Sequence, residues 1–335
     1  MIHRKLSVRP EIWQLKEPFR ISRGTRSETH VIIVEIEEGG LSGRGEAVPY
    51  GRYDETVDSV ISQIGSVTEA IEAGMSPEDL QTLLPAGAAR NAVDCALWDL
   101  QVRRTGTPIW ELLRLPQPKP VDTAVTISLN NVEAMAEKAK YYKDFPLLKI
   151  KLDRENIIEK ITAIRREAPK PKIIIDPNES WMRDDLVALD DFLDQMNISL
   201  LEQPLAAGLD DDLKNFTGKI PICADESCHT REDLPGLVGK YQVINIKLDK
   251  TGGMTEAVKL QKQAQNMGFG IMVGCMVSTS LAMAPAFHLA FDADFVDLDG
   301  PIILKNDRAF GLKITQGRIS GYPSELWGGS ELWGV

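Results

Sequence analysis

Eight short apolar runs recur from residue 120 onward, separated by polar turns and by stretches with helical spacing. They fall at 123–129, 147–152, 172–176, 199–203, 220–225, 243–248, 270–274 and 295–299. Each is near-continuous rather than alternating, the pattern of parallel strands covered on both faces. Of the stretches between them, "NNVEAMAEKAKYYKDF" opens on an Asn suited to cap a helix, and "GGMTEAVKLQKQAQNMG" closes at Gly268. Strands alternating with helices at this spacing predict βαβ units, and eight of them predict a barrel. The segment after the eighth run, "GPIILKNDRAFGLKITQGRISGYP", is rich in Gly and Pro and offers no eighth helix. The expected fold is therefore α/β, a modified TIM barrel of (β/α)7β form.

The first 120 residues follow a different rhythm. "HVIIVEIEEGGLSGRGEAVPY" reads as a strand pair around a Gly-Gly turn, and residues 54–73 and 86–114 read as helices. This α+β segment is too small to match the barrel and well placed to cap it. The expected organisation is a capping domain at 1–120, the barrel at 121–304, and a C-terminal segment at 305–335 that packs back on the cap and completes it. The nearly duplicated ending "SELWGGSELWGV" reads as packing rather than as a functional repeat.

Composition removes several functions. The net charge is −11, with no basic stripe to neutralise phosphates, so a nucleic-acid partner is not expected. No apolar run approaches a membrane span, and the N-terminal residues lack a signal-peptide core, so a cytoplasmic protein without membrane attachment is expected. The four cysteines (Cys95, Cys223, Cys228, Cys275) form no CxxC pair, and the four histidines (His3, His30, His229, His288) form no HExxH. A bound metal would have to be held by carboxylates, which favour hard cations such as Mg²⁺ or Mn²⁺. There is no Walker loop and no GxSxG elbow, and the GxG in "GLSGRGEAV" reads as part of a hairpin.

In barrels of this kind, catalytic groups gather at the C-terminal ends of the strands. Those ends carry Lys151, Asp176, Glu202, Asp225 and Lys247, at intervals of 25, 26, 23 and 22 residues, followed by Asp297 and Asp299 on the eighth run. Three carboxylates on neighbouring strands would repel one another unless a divalent cation joined them. Lys151 and Lys247, on strands two and six of a ring of eight, stand on opposite sides. Two bases flanking one carbon beside a Lewis acid suit removal and return of a proton α to a carboxylate. A lysine base near neutral pH needs its pKa lowered, and Lys149, on the same face of its strand as Lys151, is a candidate to tune it.

The sequence resembles the muconate-lactonizing subgroup of the enolase superfamily over essentially its whole length. The resemblance rests on "KIK" at 149–151, "DPNESW" at 176–181, "LEQP" at 201–204, "ADES" at 224–227, "IKLDKTGG" at 246–253, and the cap stretch "AVDCALWDL" at 92–100. Enolase-type sites pair a Lys or His base with Mg²⁺, which is the general pattern already described for that superfamily. The resemblance implies Asp176, Glu202 and Asp225 as metal ligands and Lys151 with Lys247 as the acid/base pair. Pro177 departs from the small residue expected there.

Within the subgroup, "DLDGP" at 297–301 resembles the DxD feature of dipeptide epimerases, in which Asp297 and Asp299 would receive a free ammonium. The segment "PFRISRGTRSETH" (18–30) is similar to a capping loop of L-Ala-D/L-Glu epimerases, with Arg26 placed to clamp a side-chain carboxylate. "PYGRYDE" (49–55) would be the second capping loop. The same resemblance implies Thr126, Lys149, Cys275, Met276 and Val277 as substrate contacts. The implied activity is Mg²⁺-dependent epimerisation of a dipeptide at its C-terminal residue, most closely L-Ala-D/L-Glu from murein peptides, in a protein expected to form a homo-oligomer. Alternatives are a lyase on the same scaffold (o-succinylbenzoate synthase or muconate cycloisomerase), an epimerase for other dipeptides, a Schiff-base aldolase using Lys247, and a non-catalytic metal-binding scaffold.

Overall fold

The structure, a computed structural model, describes residues 4–329; the second half of the duplicated ending, 330–335, lies outside the described residues. The N-terminal part opens on three antiparallel strands, β1 (Arg4–Ile21), β2 (Gly24–Glu38) and β3 (Leu41–Ala47). The Gly-Gly turn is present, with Gly39 and Gly40 at positive φ between β2 and β3. Four helices follow: α1 (Val57–Gly65), α2 (Thr68–Glu72), α3 (Pro77–Leu83) and the 18-residue α4 (Ala88–Thr105). The predicted helix over 54–73 is thus two helices. α4 lies hard against β3. A Cβ on Gly43 would come within 2.3 Å of the Ala96 carbonyl, and one on Gly45 within 2.1 Å of the Ala92 carbonyl. The GxG signal in this segment is explained by close strand–helix packing.

A further turn of helix, α5 (Ile109–Leu112), and a short strand, β4 (Val121–Asp122), lead into the barrel. Its strands are β5 (Val125–Ile127), β6 (Leu147–Lys151), β7 (Lys172–Asp176), β8 (Leu200–Glu202), β9 (Ile222–Ala224), β10 (Val243–Ile246), β11 (Gly270–Gly274) and β12 (Phe295–Asp297). They form one parallel sheet in sequential order. The Ala124 N–H donates to the Val296 carbonyl at 2.8 Å and joins the two edges of the sheet. All eight predicted runs are strands; β7 and β11 match their runs and the other six are shorter, so that Asp225, Lys247 and Asp299 stand just past their strand ends.

The crossovers are unequal. α6 (Val132–Tyr141), α7 (Ile157–Glu167) and α8 (Arg183–Gln195) are full helices. The β8–β9 connection carries only a 3₁₀ turn at Asp211–Asn215, and β9–β10 only α9 (Leu234–Leu237). After β10 come α10 (Leu248–Thr251) and α11 (Met254–Asn266), then α12 (Ser280–Ala290) ahead of β12. β12 is followed by a single turn, α13 (Gly300–Ile303), in agreement with the absence of an eighth barrel helix. Of the last strands, β13 (Ile314–Thr315) pairs with β14 (Arg318–Ile319), which in turn pairs with β4.

Beyond them Trp327 is fully buried, its indole N–H donating to the carbonyls of Arg44 and Cys95 in the cap. The cap is also tied to the barrel beside β10. Trp98 donates to Thr255 Oγ1, the Thr255 hydroxyl donates to Asp94, and Asn91 donates to Asp249. These contacts account for "AVDCALWDL". Among the described residues no helix is long and apolar enough to cross a membrane.

Candidate active site

A pocket opens at the C-terminal ends of the barrel strands beneath the cap. It is lined by Thr126, Lys149, Lys151, Asp225, Lys247 and the Asp297/Asp299 pair, among others. Lys149 and Lys151, two apart on β6, are both buried among carboxylates. Lys151 Nζ is 2.5 Å from Asp176 Oδ2. Lys149 Nζ lies 3.2 Å from the same oxygen, 2.7 Å from Glu202 Oε2 and 2.8 Å from Asp297 Oδ2. Across the ring, Lys247 Nζ is 2.6 Å from Asp225 Oδ2. The predicted residues are therefore brought together, with the two lysine pairs sharing carboxylates rather than facing empty space.

The charges tune one another strongly. Burial opposes the Lys149 ammonium, but Asp297, Glu202 and Asp176 together hold its pKa well above the usual lysine range. Burial likewise opposes Lys247, yet the Asp225 carboxylate raises it above its ordinary value. Asp176 is buried too, and Lys151 and Lys149 bring it down to about 2. Glu202 moves the other way, to about 7, because it is buried beside the Asp176 carboxylate. Lowering of Lys247 by its surroundings, which base catalysis needs, is not seen in the protein alone.

The carboxylates do not stand as a finished cage. Among the described residues, no three His, Cys, Asp or Glu side chains are gathered in a way that could hold a metal ion. Ammonium groups take up the carboxylate oxygens instead, Lys149 bridging Asp176 and Glu202 and Lys247 meeting Asp225, and supply the positive charge they need. The donor set nonetheless fits a hard divalent cation. It consists of three buried carboxylates, whose oxygens are the hard donors such a cation prefers, and Glu202 Oε2 has a buried ammonium, Lys149 at 2.7 Å, as its counter-charge.

The cap supplies the rest of the lining. The stretch expected as a loop at 18–30 is mostly the tip of the β1–β2 hairpin, with Phe19 opposite Arg26 and Ile21 opposite Gly24. Cross-strand pairing persists to its very end. Phe19, Ile21, Arg23 and Arg26 from this tip, with Tyr50 and Tyr53 from the segment after β3, line the pocket. The Arg26 guanidinium lies 5.8 Å from the Phe19 ring centre, and burial lowers its pKa. Among the described residues it has no carboxylate within ion-pair distance, whereas Arg23 is paired with Glu226 at 2.7 Å and Glu179 at 2.9 Å.

Cys275, Met276, Val277 and Thr126 line the pocket as expected. Asp299 accepts from the Thr126 N–H at 2.7 Å, and burial beside Asp297 raises its pKa to about 7. Asp297 Oδ1 is buried and receives no hydrogen bond. Tyr50, Tyr53, Asn178, Glu226 and Ile303 also line the pocket and were not singled out from sequence.

Residues 3–114 match the mandelate racemase / muconate lactonizing enzyme N-terminal domain, and residues 131–299 match the enolase C-terminal domain-like family. The chain belongs to the enolase superfamily. A relative from Escherichia coli K12, named an L-Ala-D/L-Glu epimerase, is 46% identical over 94% of this chain and 99% of its own length. A Pseudoalteromonas protein named an N-acetyl-D-glutamate racemase is 47% identical over 90% of this chain and 96% of its own. Among solved structures, an enolase family member from Agrobacterium tumefaciens with bound sodium and L-Ala-L-Glu superposes with a TM-score of 0.94. It is 43% identical, and the match covers 97% of this chain and all of that one. A dipeptide epimerase from Enterococcus faecalis, complexed with Mg and L-Leu-L-Tyr, gives a TM-score of 0.89 at 31% identity, covering 96% and 97% of the two chains.

Proposed function

We propose that this chain is a Mg²⁺-dependent dipeptide epimerase that inverts the α-carbon of the C-terminal residue, with L-Ala-D/L-Glu as its preferred substrate. The observation that carries this reading is a pocket that sets an aspartate pair and an arginine around two lysines. The barrel offers Asp297, with a buried oxygen that receives no hydrogen bond, beside Asp299. The cap offers Arg26, a largely buried guanidinium with no carboxylate partner among the described residues. A buried charge left unpaired is costly, and a dipeptide with an acidic side chain would pair Arg26, while its free ammonium would meet the Asp297 oxygen that Lys149 leaves open.

In this reading Lys151 and Lys247 address opposite faces of the α-carbon. One, as the free amine, takes the α-proton, and the other, as ammonium, returns a proton to the opposite face. After one turnover their protonation states are exchanged, and the reverse reaction runs by the same two groups. Asp176, Glu202 and Asp225 would hold the cation, which when bound supplies positive charge to the substrate carboxylate as the proton leaves. Lys149, bridging three carboxylates, would keep their net charge low enough for an anionic substrate to enter. Mn²⁺ as a substitute cation, a cytoplasmic location and a homo-oligomeric assembly are parts of the same proposal.

The similarity to an N-acetyl-D-glutamate racemase favours a second reading, with the same proton transfer on an acylated glutamate. Such a substrate has no ammonium and would leave Asp297 as it stands. Chromatographic separation of products from L-Ala-L-Glu and N-acetyl-D-glutamate, each with Mg²⁺, separates the readings. The dipeptide is expected to have the higher kcat/KM. Turnover of the acylated amino acid alone would replace the dipeptide reading.

A further inference from the structure

Lys250 takes no part in the proton transfer just described, yet its side chain is fully buried, with 0% exposure. It comes from α10, three residues past Lys247. Its ammonium donates to Asp225 Oδ1 at 2.7 Å, to the Asp225 carbonyl at 2.5 Å and to the Asn245 carbonyl at 2.9 Å. All three of its protons are thereby used. Asn245, buried on β10, donates through its own amide to Glu202 Oε1 at 2.9 Å. The neighbouring strand leaves room for that amide, because a Cβ on Gly274 would lie 2.6 Å from Asn245 Oδ1.

The same division appears at each of the three carboxylates. Asp225 has Oδ1 secured by Lys250 while Oδ2 meets Lys247. Glu202 has Oε1 secured by Asn245 while Oε2 meets Lys149. Asp176 has Oδ1 secured by the Asn178 N–H at 2.9 Å while Oδ2 meets the two lysines of β6. One oxygen of each group is held from behind and the other is left for the site.

The geometry points to Lys250 and Asn245 as a positioning frame that fixes Asp225 and Glu202 for binding a divalent cation, Lys250 being a standing counter-ion and not a reacting base. This rests on the reading that these carboxylates hold the cation. Partners behind metal ligands fix their orientation, and losing one typically weakens metal binding ~10- to 100-fold.

The test is a titration of the chelator-stripped full-length protein with Mn²⁺, following free Mn²⁺ by electron paramagnetic resonance, with circular dichroism to monitor folding. Lys250→Met and Asn245→Ala are each expected to bind Mn²⁺ ~10- to 100-fold more weakly than the unaltered protein while remaining folded. If Lys250→Met does not fold, Asn245→Ala decides, because it removes only the side-chain amide and keeps the carbonyl that Lys250 uses. Affinities within twofold of the unaltered protein, even with a lowered melting temperature, would show a purely structural role and overturn the frame. An unaltered protein that takes up no Mn²⁺ would overturn the cation reading, and the frame with it.

Discussion

Lys151 and Lys247 each meet a carboxylate oxygen and lie on opposite strands of the ring, so removing either should disable only one face of the reaction. Lys151→Ala and Lys247→Ala are each expected to lower epimerisation by ~10²–10⁴-fold, the usual weight of a general acid or base. Each variant should still exchange the α-proton of one diastereomer and not the other, which deuterium incorporation from each pure diastereomer would read. Arg26→Gln should cut kcat/KM for L-Ala-L-Glu by ~10- to 100-fold, the worth of a hydrogen bond to a charged group. The same change should affect L-Ala-L-Gln far less, as parallel steady-state assays would show. At this scale the strand-end residues were legible because each βα unit contributes one, at nearly constant spacing. Tyr50 and Tyr53 were legible only as part of the expected capping loop at 49–55, because they reach the pocket through the docking of cap on barrel, and Glu226 carried no signal of its own beside Asp225. Lys250 was quoted within "IKLDKTGG" but carried no distinct signal, since a lysine in a short helix looks like a solvated charge until its burial is seen.

The elements of the cap share an apolar core, and α4 meets β3 by close backbone approach. Gly43 and Gly45 let the backbone of α4 rest directly on β3, with Ala96 and Ala92 carbonyls where a Cβ would otherwise sit. Gly45→Ala should therefore destabilise the protein by ~1–3 kcal/mol, the usual cost of forcing an extra methyl into a packed contact. Chemical denaturation with unchanged slope and a lowered midpoint would be the signature. The barrel strands were readable because burial on both faces makes them apolar throughout. The single-turn crossovers after β8 and β9 were not anticipated, as a parallel connection needs only length, and chain without a full helix supplies it equally well. β1 also went unassigned, since most of its residues are exposed or half-buried and its pairing is set by β2, not by its own pattern.

The whole molecule joins a closed ring of strands to a cap fastened beside β10, so the strand-end lysines and carboxylates and their roof are set by one assembly. Because Lys149, Lys151, Lys247 and Lys250 already neutralise the carboxylates within the protein, the fold should not depend on a metal. Treatment with a chelator is expected to abolish turnover, leave the far-ultraviolet circular dichroism unchanged, and allow full recovery of activity on adding Mg²⁺. Unfolding on chelation would mean that the ion pairs are insufficient.

The central claim is that two lysines on opposite strands move one α-proton of a dipeptide. Proton magnetic resonance of L-Ala-L-Glu with enzyme and Mg²⁺ in D₂O tests it most directly. Loss of the glutamate α-proton signal is expected together with growth of the L,D diastereomer carrying solvent deuterium at that carbon. Retention of the α-proton, or inversion without uptake of deuterium, would contradict it.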